Sequence, residues 1–238
     1  VTRGQAIAML SGAAIMLSIA MGVRQSLGLF QTPVVQDLGI AAADFAMAIA
    51  VQNIVWGFSQ PLAGAFTDRF GPRWIALTGC IVYVAGLVIT ATATNPAMIT
   101  LGAGVLIGIA LSCTTSGIAS NIAARVVAPQ RRSLAFGIVS AAGSMGTFFC
   151  APLGQLVISH GGWRAGLMAF IVVALLMLPA AFIGGRADKL PNSNAGDASM
   201  TLLGALNEAR QHGGYVVMSL AFFVCGLQLV FLTTHLPS

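Results

Sequence analysis

Long apolar runs separated by short polar segments dominate the hydrophobic pattern of this chain. Several of these runs exceed the roughly 18 residues that are typical of a membrane-spanning helix. No long stretch alternates apolar and polar residues with the period of two that is typical of a membrane β-strand. Because helices satisfy their own backbone hydrogen bonds in lipid, the pattern predicts an all-α, polytopic membrane helix bundle.

The positions of the apolar runs predict seven spans. They cover about residues 5–33, 44–66, 74–93, 96–124, 133–159, 163–184 and 214–236. We therefore predict a six-helix bundle over 1–184, a cytoplasmic linker over 185–213, and a seventh helix over 214–238 that opens a second half. Within the linker, 199–210 has the pattern of a short amphipathic helix. We expect the chain to be cut short at both ends.

Composition excludes several classes of protein. Hydrophobic residues make up 57% of the chain and charged residues 7%, whereas soluble domains contain about 25% charged residues. The net charge of +5 is dispersed over loops, so no nucleic-acid partner is predicted. The four cysteines form no CxxC pair and the three histidines are scattered. We therefore predict no metal site, no cofactor and no enzyme.

The basic residues lie in alternate loops. Nine of the eleven Lys and Arg residues fall on one side of the predicted bundle. These nine are Arg3, Arg69, Arg73, Arg125, Arg131, Arg132, Arg186, Lys189 and Arg210. The positive-inside rule predicts a multi-pass protein of the cell inner (plasma) membrane with a cytoplasmic N-terminus.

A short pattern repeats at a constant offset. Pro61-Leu62 and Pro152-Leu153 lie near the ends of the predicted spans two and five, since 152−61 and 153−62 both equal 91. The Gly and Arg residues that follow each pair keep the same offset, since 162−71 and 164−73 equal 91. Three spans separate the copies, so they face opposite sides of the membrane. Inverted repeats of three spans are typical of transporter folds.

The loop between the predicted spans two and three carries the most specific motif. The string from Gly64 to Arg73 reads GAFTDRFGPR and resembles the GxxxDRxGRR loop of the major facilitator superfamily, at the position where that family has it. Gly71 suits a tight turn, and Asp68 can pair with a basic residue or cap a helix. The resemblance implies that Asp68, Arg69, Gly71 and Arg73 form a gating cluster.

Other strings refine this resemblance. They are RQSLGLF from Arg24, RRSLAFG from Arg131, GGWR from Gly161 and CGLQ from Cys225. Together they are similar to the monocarboxylate and oxalate–formate branch of the superfamily. The resemblance implies the six-helix N-terminal half of a major facilitator fold, built as a 3+3 inverted repeat, plus the seventh transmembrane helix. A monomer is expected when the protein is full length.

Arg24 is the outstanding candidate for substrate binding, because a charge within a span is costly and indicates a functional site. Its guanidinium matches a carboxylate in two hydrogen bonds. Other polar side chains within spans are expected to line a central cavity. With Arg24, the predicted substrate-binding set is Gln25, Gln52, Asn53, Thr114, Ser116, Ser144 and Gln228.

These features favour a secondary active transporter of small, monocarboxylate-like organic anions that works by alternating access. A coupled proton is left open, because no Asp or Glu lies within a span. The alternative is a major facilitator exporter of drugs or other small molecules. Gly104, where many drug antiporters have arginine, weighs against it. A seven-helix receptor or retinal protein is disfavoured because the single lysine, Lys189, lies in the linker.

Overall fold

The computed structural model of this protein describes residues 2–190 and 202–235, and every regular element in these ranges is helical. Contacts divide the chain into two compact units, Val1–Ser193 and Asn194–Ser238. The described helices of the first unit are α1 (Arg3–Ser26), α2 (Gln31–Leu38), α3 (Ala42–Phe70), α4 (Pro72–Ala91), α5 (Pro96–Ile99), α6 (Ile107–Thr114), α7 (Ser116–Val126), α8 (Arg132–Leu175) and α9 (Met177–Gly184). Those of the second unit are α10 (Leu202–Gln211) and α11 (Gly213–His235).

Each predicted span corresponds to a helical segment. Within the described ranges, four segments are long and apolar enough to cross a membrane, namely Arg3–Leu38, Pro72–Ala91, Pro96–Val126 and Pro129–Asp188. The last has 60 residues, which would extend about 90 Å as one helix, three times the hydrocarbon core of a bilayer. It bends at Gly162 and so provides two spans. The 29-residue α3 and the 23-residue α11 coincide with the predicted second and seventh spans, whose crossing of the membrane stays a prediction.

Part of the predicted linker, residues 191–201, lies outside the described residues, as does the start of its predicted amphipathic helix. Helix α10 begins at Leu202 and ends at Gln211, close to the predicted end of that amphipathic helix at residue 210.

Two glycines with positive φ define the sharp turns of the bundle. Gly71 joins α3 to α4 with φ 84° and ψ 157°. Gly162 bends α8 with φ 77° and ψ 176°. Residues with a Cβ atom rarely adopt this conformation. The two glycines are separated by the same 91 residues as the sequence repeat, so the repeat is also one of backbone structure.

One end of the bundle is held together around Asp37. Its carboxylate accepts hydrogen bonds from Trp163 Nε1 at 3.0 Å and from Arg164 Nη1 at 2.6 Å. Arg164 Nη2 donates to the carbonyl of Ala93 at 3.4 Å. The ends of α2 and α4 and the bend in α8 therefore meet here. Both charged side chains are 47% exposed, so water screens this ion pair and it contributes little to stability.

The opposite end of the bundle, which we call the basic end, contains the start of α1, the start of α4 and the turn after α9. Residues from all three segments line one cavity, including Gly4, Arg73 and Arg186. The backbone N–H of Arg73 also donates to Asp188 Oδ1 at 3.2 Å. The contacts at the two ends are consistent with helical segments that alternate in direction, and which end faces the cytoplasm stays a prediction.

Glycines allow the helix backbones to approach closely. A Cβ atom on Gly146 of α8 would collide with the carbonyl of Ser18 in α1, and one on Gly22 would lie 2.5 Å from the carbonyl oxygen of Gly146. Gly104 and Gly108 pack against α3, where added Cβ atoms would lie 3.0 Å and 2.9 Å from backbone oxygens. Small residues take this role in lipid, which provides no hydrophobic drive between helices.

Candidate functional site

Arg24 lies deep within the first span, in the last turn of α1. Since 38−24 equals 14 residues, the end of the segment at Leu38 is about 21 Å away along the helix. The side chain is half-buried. A charge at this depth is costly unless polar groups surround it, so its partners define the candidate site.

Asn53 of α3 is the first partner of Arg24. Arg24 Nη2 donates to Asn53 Oδ1 at 2.6 Å. Asn53 Nδ2 donates to the carbonyl of Ile49, one turn earlier in α3, at 2.7 Å. This second bond directs the amide oxygen toward the arginine. The structure therefore brings two of the predicted substrate-binding residues into direct contact across two helices.

Trp56 is the second partner, and sequence reasoning missed it. The Cζ atom of Arg24 lies 4.8 Å from the centroid of the Trp56 ring, within the range of a cation–π interaction. Trp56 follows Asn53 by three residues, so both project from the same face of α3. That spacing was the signal in the sequence that could have identified it.

Two buried donors at this site have no hydrogen-bond acceptor among the described residues. They are Arg24 Nε and Trp56 Nε1. A buried N–H group without an acceptor costs about 1–3 kcal/mol, and both groups can only donate. Since every Asp and Glu lies in a loop or at the end of a predicted span, the site presents a positive charge and two donors without a protein carboxylate. This arrangement suits a ligand that carries acceptor oxygens and a negative charge.

Tyr83 of α4 supports the backbone beside the site. It is fully buried, and its hydroxyl donates to the carbonyl of Ala20 at 2.9 Å. Ala20 precedes Arg24 by one turn of α1. The bond joins α4 to α1 and fixes the position from which Arg24 projects. Sequence reasoning missed this residue too, because nothing in the pattern of α4 indicates which carbonyl its hydroxyl would meet.

The other predicted substrate-binding residues have different surroundings. Gln52 Nε2 donates to the carbonyl of Ala103 at 2.6 Å, and Thr114 Oγ1 donates to the carbonyl of Ala110 at 2.8 Å. Both side chains are fully buried, so their polar groups serve helix packing and helix geometry in this conformation.

The remaining predicted substrate-binding residues make no hydrogen bond or cation–π contact with Arg24 in the described part of the chain. Gln25 is half-buried beside it on α1, and Ser144 is exposed on α8. Ser116 is exposed directly after Thr115, where φ −102° and ψ −153° interrupt the fourth span. Gln228 is exposed in the second unit. Their roles in binding stay predictions.

The predicted gating loop is held by an acid that the sequence did not indicate. Asp188, in the turn after α9, accepts from the backbone N–H of Arg73, and a Cβ atom on Gly71 would lie 2.5 Å from its Oδ1. Asp68 and Arg69 are exposed in the last turn of α3. Arg73 and Asp188 are 115 residues apart, so no local pattern could have connected them.

An all-helical bundle of long apolar segments with a backbone repeat is the architecture of a polytopic membrane protein. The chain belongs to the Major Facilitator Superfamily, whose family profile matches residues 5–238. This confirms the predictions of a multi-pass membrane transporter rather than an enzyme, and of the helical fold class.

Individual relatives agree with this assignment. The chain is 30% identical over 177 residues to the oxalate:formate antiporter of Oxalobacter formigenes, covering 72% of this chain and 40% of that protein. It is 28% identical over 233 residues to monocarboxylate transporter 4 of Gallus gallus, covering 93% and 47%. The predicted branch of the superfamily is therefore confirmed. The chain spans less than half the length of these two relatives.

A solved structure shares the fold. It is a bacterial homologue of the human lysosomal transporter Spinster in an inward-facing, unoccupied conformation. The match has a TM-score of 0.64 at 16% identity and covers 85% of this chain and 47% of that one. At this identity the likeness concerns the fold alone.

Proposed function

We propose that this protein is a secondary active transporter of small, monocarboxylate-like organic anions that works by alternating access. The observation that carries the proposal is the cluster of Arg24, Asn53 and Trp56, where Arg24 lies over the Trp56 ring and each of these two side chains has a buried N–H group without an acceptor among the described residues. The relatives named as monocarboxylate transporters and as an oxalate:formate antiporter support the same class of substrate.

We propose that two N–H donors of the site bind the carboxylate of the substrate. Asn53 occupies Nη2 of Arg24 and orients the guanidinium. Arg24 Nε and Trp56 Nε1 then remain to donate to substrate oxygens. Charge-assisted hydrogen bonds of this kind are worth roughly twice neutral ones. Arginine also keeps its charge when buried, so the site attracts an anion without a coupled change in its own protonation.

Substitution of Trp56 by Phe tests the contribution of the indole N–H group separately from that of the aromatic ring. Trp56→Phe keeps a ring under Arg24 but removes the N–H. We expect lactate binding to weaken about tenfold, the equivalent of one hydrogen bond to a charged acceptor. Calorimetric titration of the purified protein measures this, and Trp74→Phe is the matched control because Trp74 is 63% exposed on α4. Unchanged affinity in Trp56→Phe would remove the indole donor from the proposal.

Transport would proceed by rocking of this bundle against a second half, with 185–213 as the linker and 214–238 as the start of that half. The loop of Asp68, Arg69, Gly71 and Arg73 would act as the gate, supported by the contact of Asp188 with its backbone. Every Asp and Glu lies in a loop or at the end of a predicted span, so we expect a coupled proton to use another part of the protein.

We propose that the protein lies in the plasma membrane. In the proposed orientation, the N-terminus and the basic end face the cytoplasm. We expect Arg131→Cys to be labelled from the inside and Asn95→Cys from the outside, by the positive-inside rule. The measurement is labelling of intact cells with a membrane-impermeant thiol reagent. The background replaces the four free cysteines, Cys80, Cys113, Cys150 and Cys225. Labelling of Arg131→Cys in intact cells would contradict this orientation.

A further inference from the structure

A second candidate site lies at the basic end of the first unit, away from Arg24. It is a cavity of about 540 Å³ between the start of α1, the start of α4 and the end of α9. Its polar wall contains Gln5, Arg73 and Arg186. None of these residues contacts Arg24 or its partners, so this cavity is separate from the proposed transport site.

Two arginines of this cavity share one aromatic ring. The Cζ atom of Arg73 lies 4.0 Å from the centroid of Phe182, and that of Arg186 lies 5.8 Å from it. The Nε atom of Arg73 is buried and has no hydrogen-bond partner among the described residues. Both guanidinium groups therefore lie within 5.8 Å of the same ring, and that of Arg73 carries a buried donor without an acceptor in the described part of the chain.

The nearby acid does not bond the Arg73 side chain. Asp188 Oδ1 accepts from the backbone N–H of Arg73 at 3.2 Å, and in the described part of the chain no ion pair joins this carboxylate to either guanidinium. The lining contains no acidic residue. The cavity is therefore a cationic site, which favours an anion that can lie between the two arginines.

The rest of the wall is apolar. It is formed by Ala8, Met9, Ile183 and Leu190 together with Phe182. The cavity lies where three helical segments end, which is the depth at which a membrane protein meets lipid headgroups. A free inorganic anion gains nothing from such a wall, whereas a lipid buries part of an acyl chain against it.

We propose that this cavity binds an anionic phospholipid, with the headgroup phosphate between Arg73 and Arg186 and the start of an acyl chain along the apolar wall. Arginine forks match phosphate oxygens, and the free Nε of Arg73 supplies one of the donors. The site is a lipid site of the transporter, additional to its substrate site.

The test is native mass spectrometry of the purified protein with phosphatidylglycerol and, separately, with phosphatidylcholine. We expect the protein to retain phosphatidylglycerol in preference. Arg186→Gln and Arg73→Gln should each lower that retention about fivefold, the effect of one arginine near an anionic lipid. Arg131→Gln is the control, since Arg131 is an exposed arginine outside the cavity lining. Equal losses in the control, or full retention in both cavity variants, would overturn the site.

A second variant distinguishes a lipid from a free phosphate. Ala8→Trp fills the apolar side of the cavity and leaves both arginines in place, so we expect it to reduce retention of phosphatidylglycerol as strongly as Arg186→Gln. Millimolar inorganic phosphate should not displace the lipid. Undiminished retention in Ala8→Trp, or complete displacement by inorganic phosphate, would show that the occupant is a free anion and would refute a lipid site. Monodisperse elution of each variant on size exclusion confirms that it is folded.

Discussion

Arg24→Gln is expected to weaken binding of a monocarboxylate by at least a hundredfold while the protein still inserts and folds. The substitution removes the charge and the Nε donor from the centre of the site. Truncating one partner of a buried, hydrogen-bonded charge pair costs about 2–5 kcal/mol, and about 2.8 kcal/mol corresponds to a hundredfold in affinity. Glutamine is two atoms shorter and does not reach Asn53, but it stays polar and adds no bulk, so the fold of the bundle should survive.

Arg24→Lys is the informative companion of that variant. Lysine restores the charge but has neither the planar fork nor the Nε donor, so we expect binding to recover only in part. Titration of lactate into each purified variant measures this series, and Arg131→Gln provides an arginine control at an exposed position. Wild-type affinity in Arg24→Gln would mean that Arg24 serves membrane anchoring or helix packing, not substrate recognition.

Gly146→Val is expected to prevent correct folding of the bundle. A side chain at Gly146 would overlap the backbone carbonyl of Ser18, which cannot move without displacing α1 from α8. Overpacking usually costs about 1–3 kcal/mol and occasionally more, and a collision with backbone belongs to the larger values. Since α1 also carries Arg24, a shift of α1 would disturb the site as well.

Gly137→Val on the same helix α8 is the matched control, because an added Cβ atom there meets nothing within 4 Å. Detergent extraction and thermal stability by size exclusion measure both variants. We expect loss of the monodisperse peak in Gly146→Val and a peak near the wild type in Gly137→Val. Equal stability of the two variants would contradict the close packing of α1 on α8.

The sequence predicted the helical segments well because long apolar runs with few charges favour helices in lipid. It also predicted the repeat, since the turn at Gly71 and the bend at Gly162 need a positive φ that glycine supplies. The interruptions of the first and fourth spans were not predicted. They are a short 3₁₀ segment over Leu27–Phe30 and a π-helical segment over Thr100–Leu106, and hydropathy does not report such local changes of helix type.

The candidate site was predicted only in part, for a related reason. A charge within a span is visible in the sequence, so Arg24 could be identified. Asn53 followed as a polar residue of the next span, but the contacts of Trp56, Tyr83 and Asp188 depend on how each helix is rotated toward its neighbours. Gln52 is also a polar residue of that span, but its amide donates to the carbonyl of Ala103 and not to a group of the site. Periodicity indicates which face of a helix is apolar, but not which neighbouring helix that face contacts.

We predict that the deep arginine site selects small organic anions for transport. The most direct test of this prediction is uptake of radiolabelled lactate into proteoliposomes containing the protein, with unlabelled lactate or lactamide as competitor. Lactamide matches lactate in size and lacks the negative charge. We expect uptake that lactate abolishes, that lactamide leaves unchanged and that Arg24→Gln eliminates. Equal competition by lactamide, or full uptake by Arg24→Gln, would contradict the account.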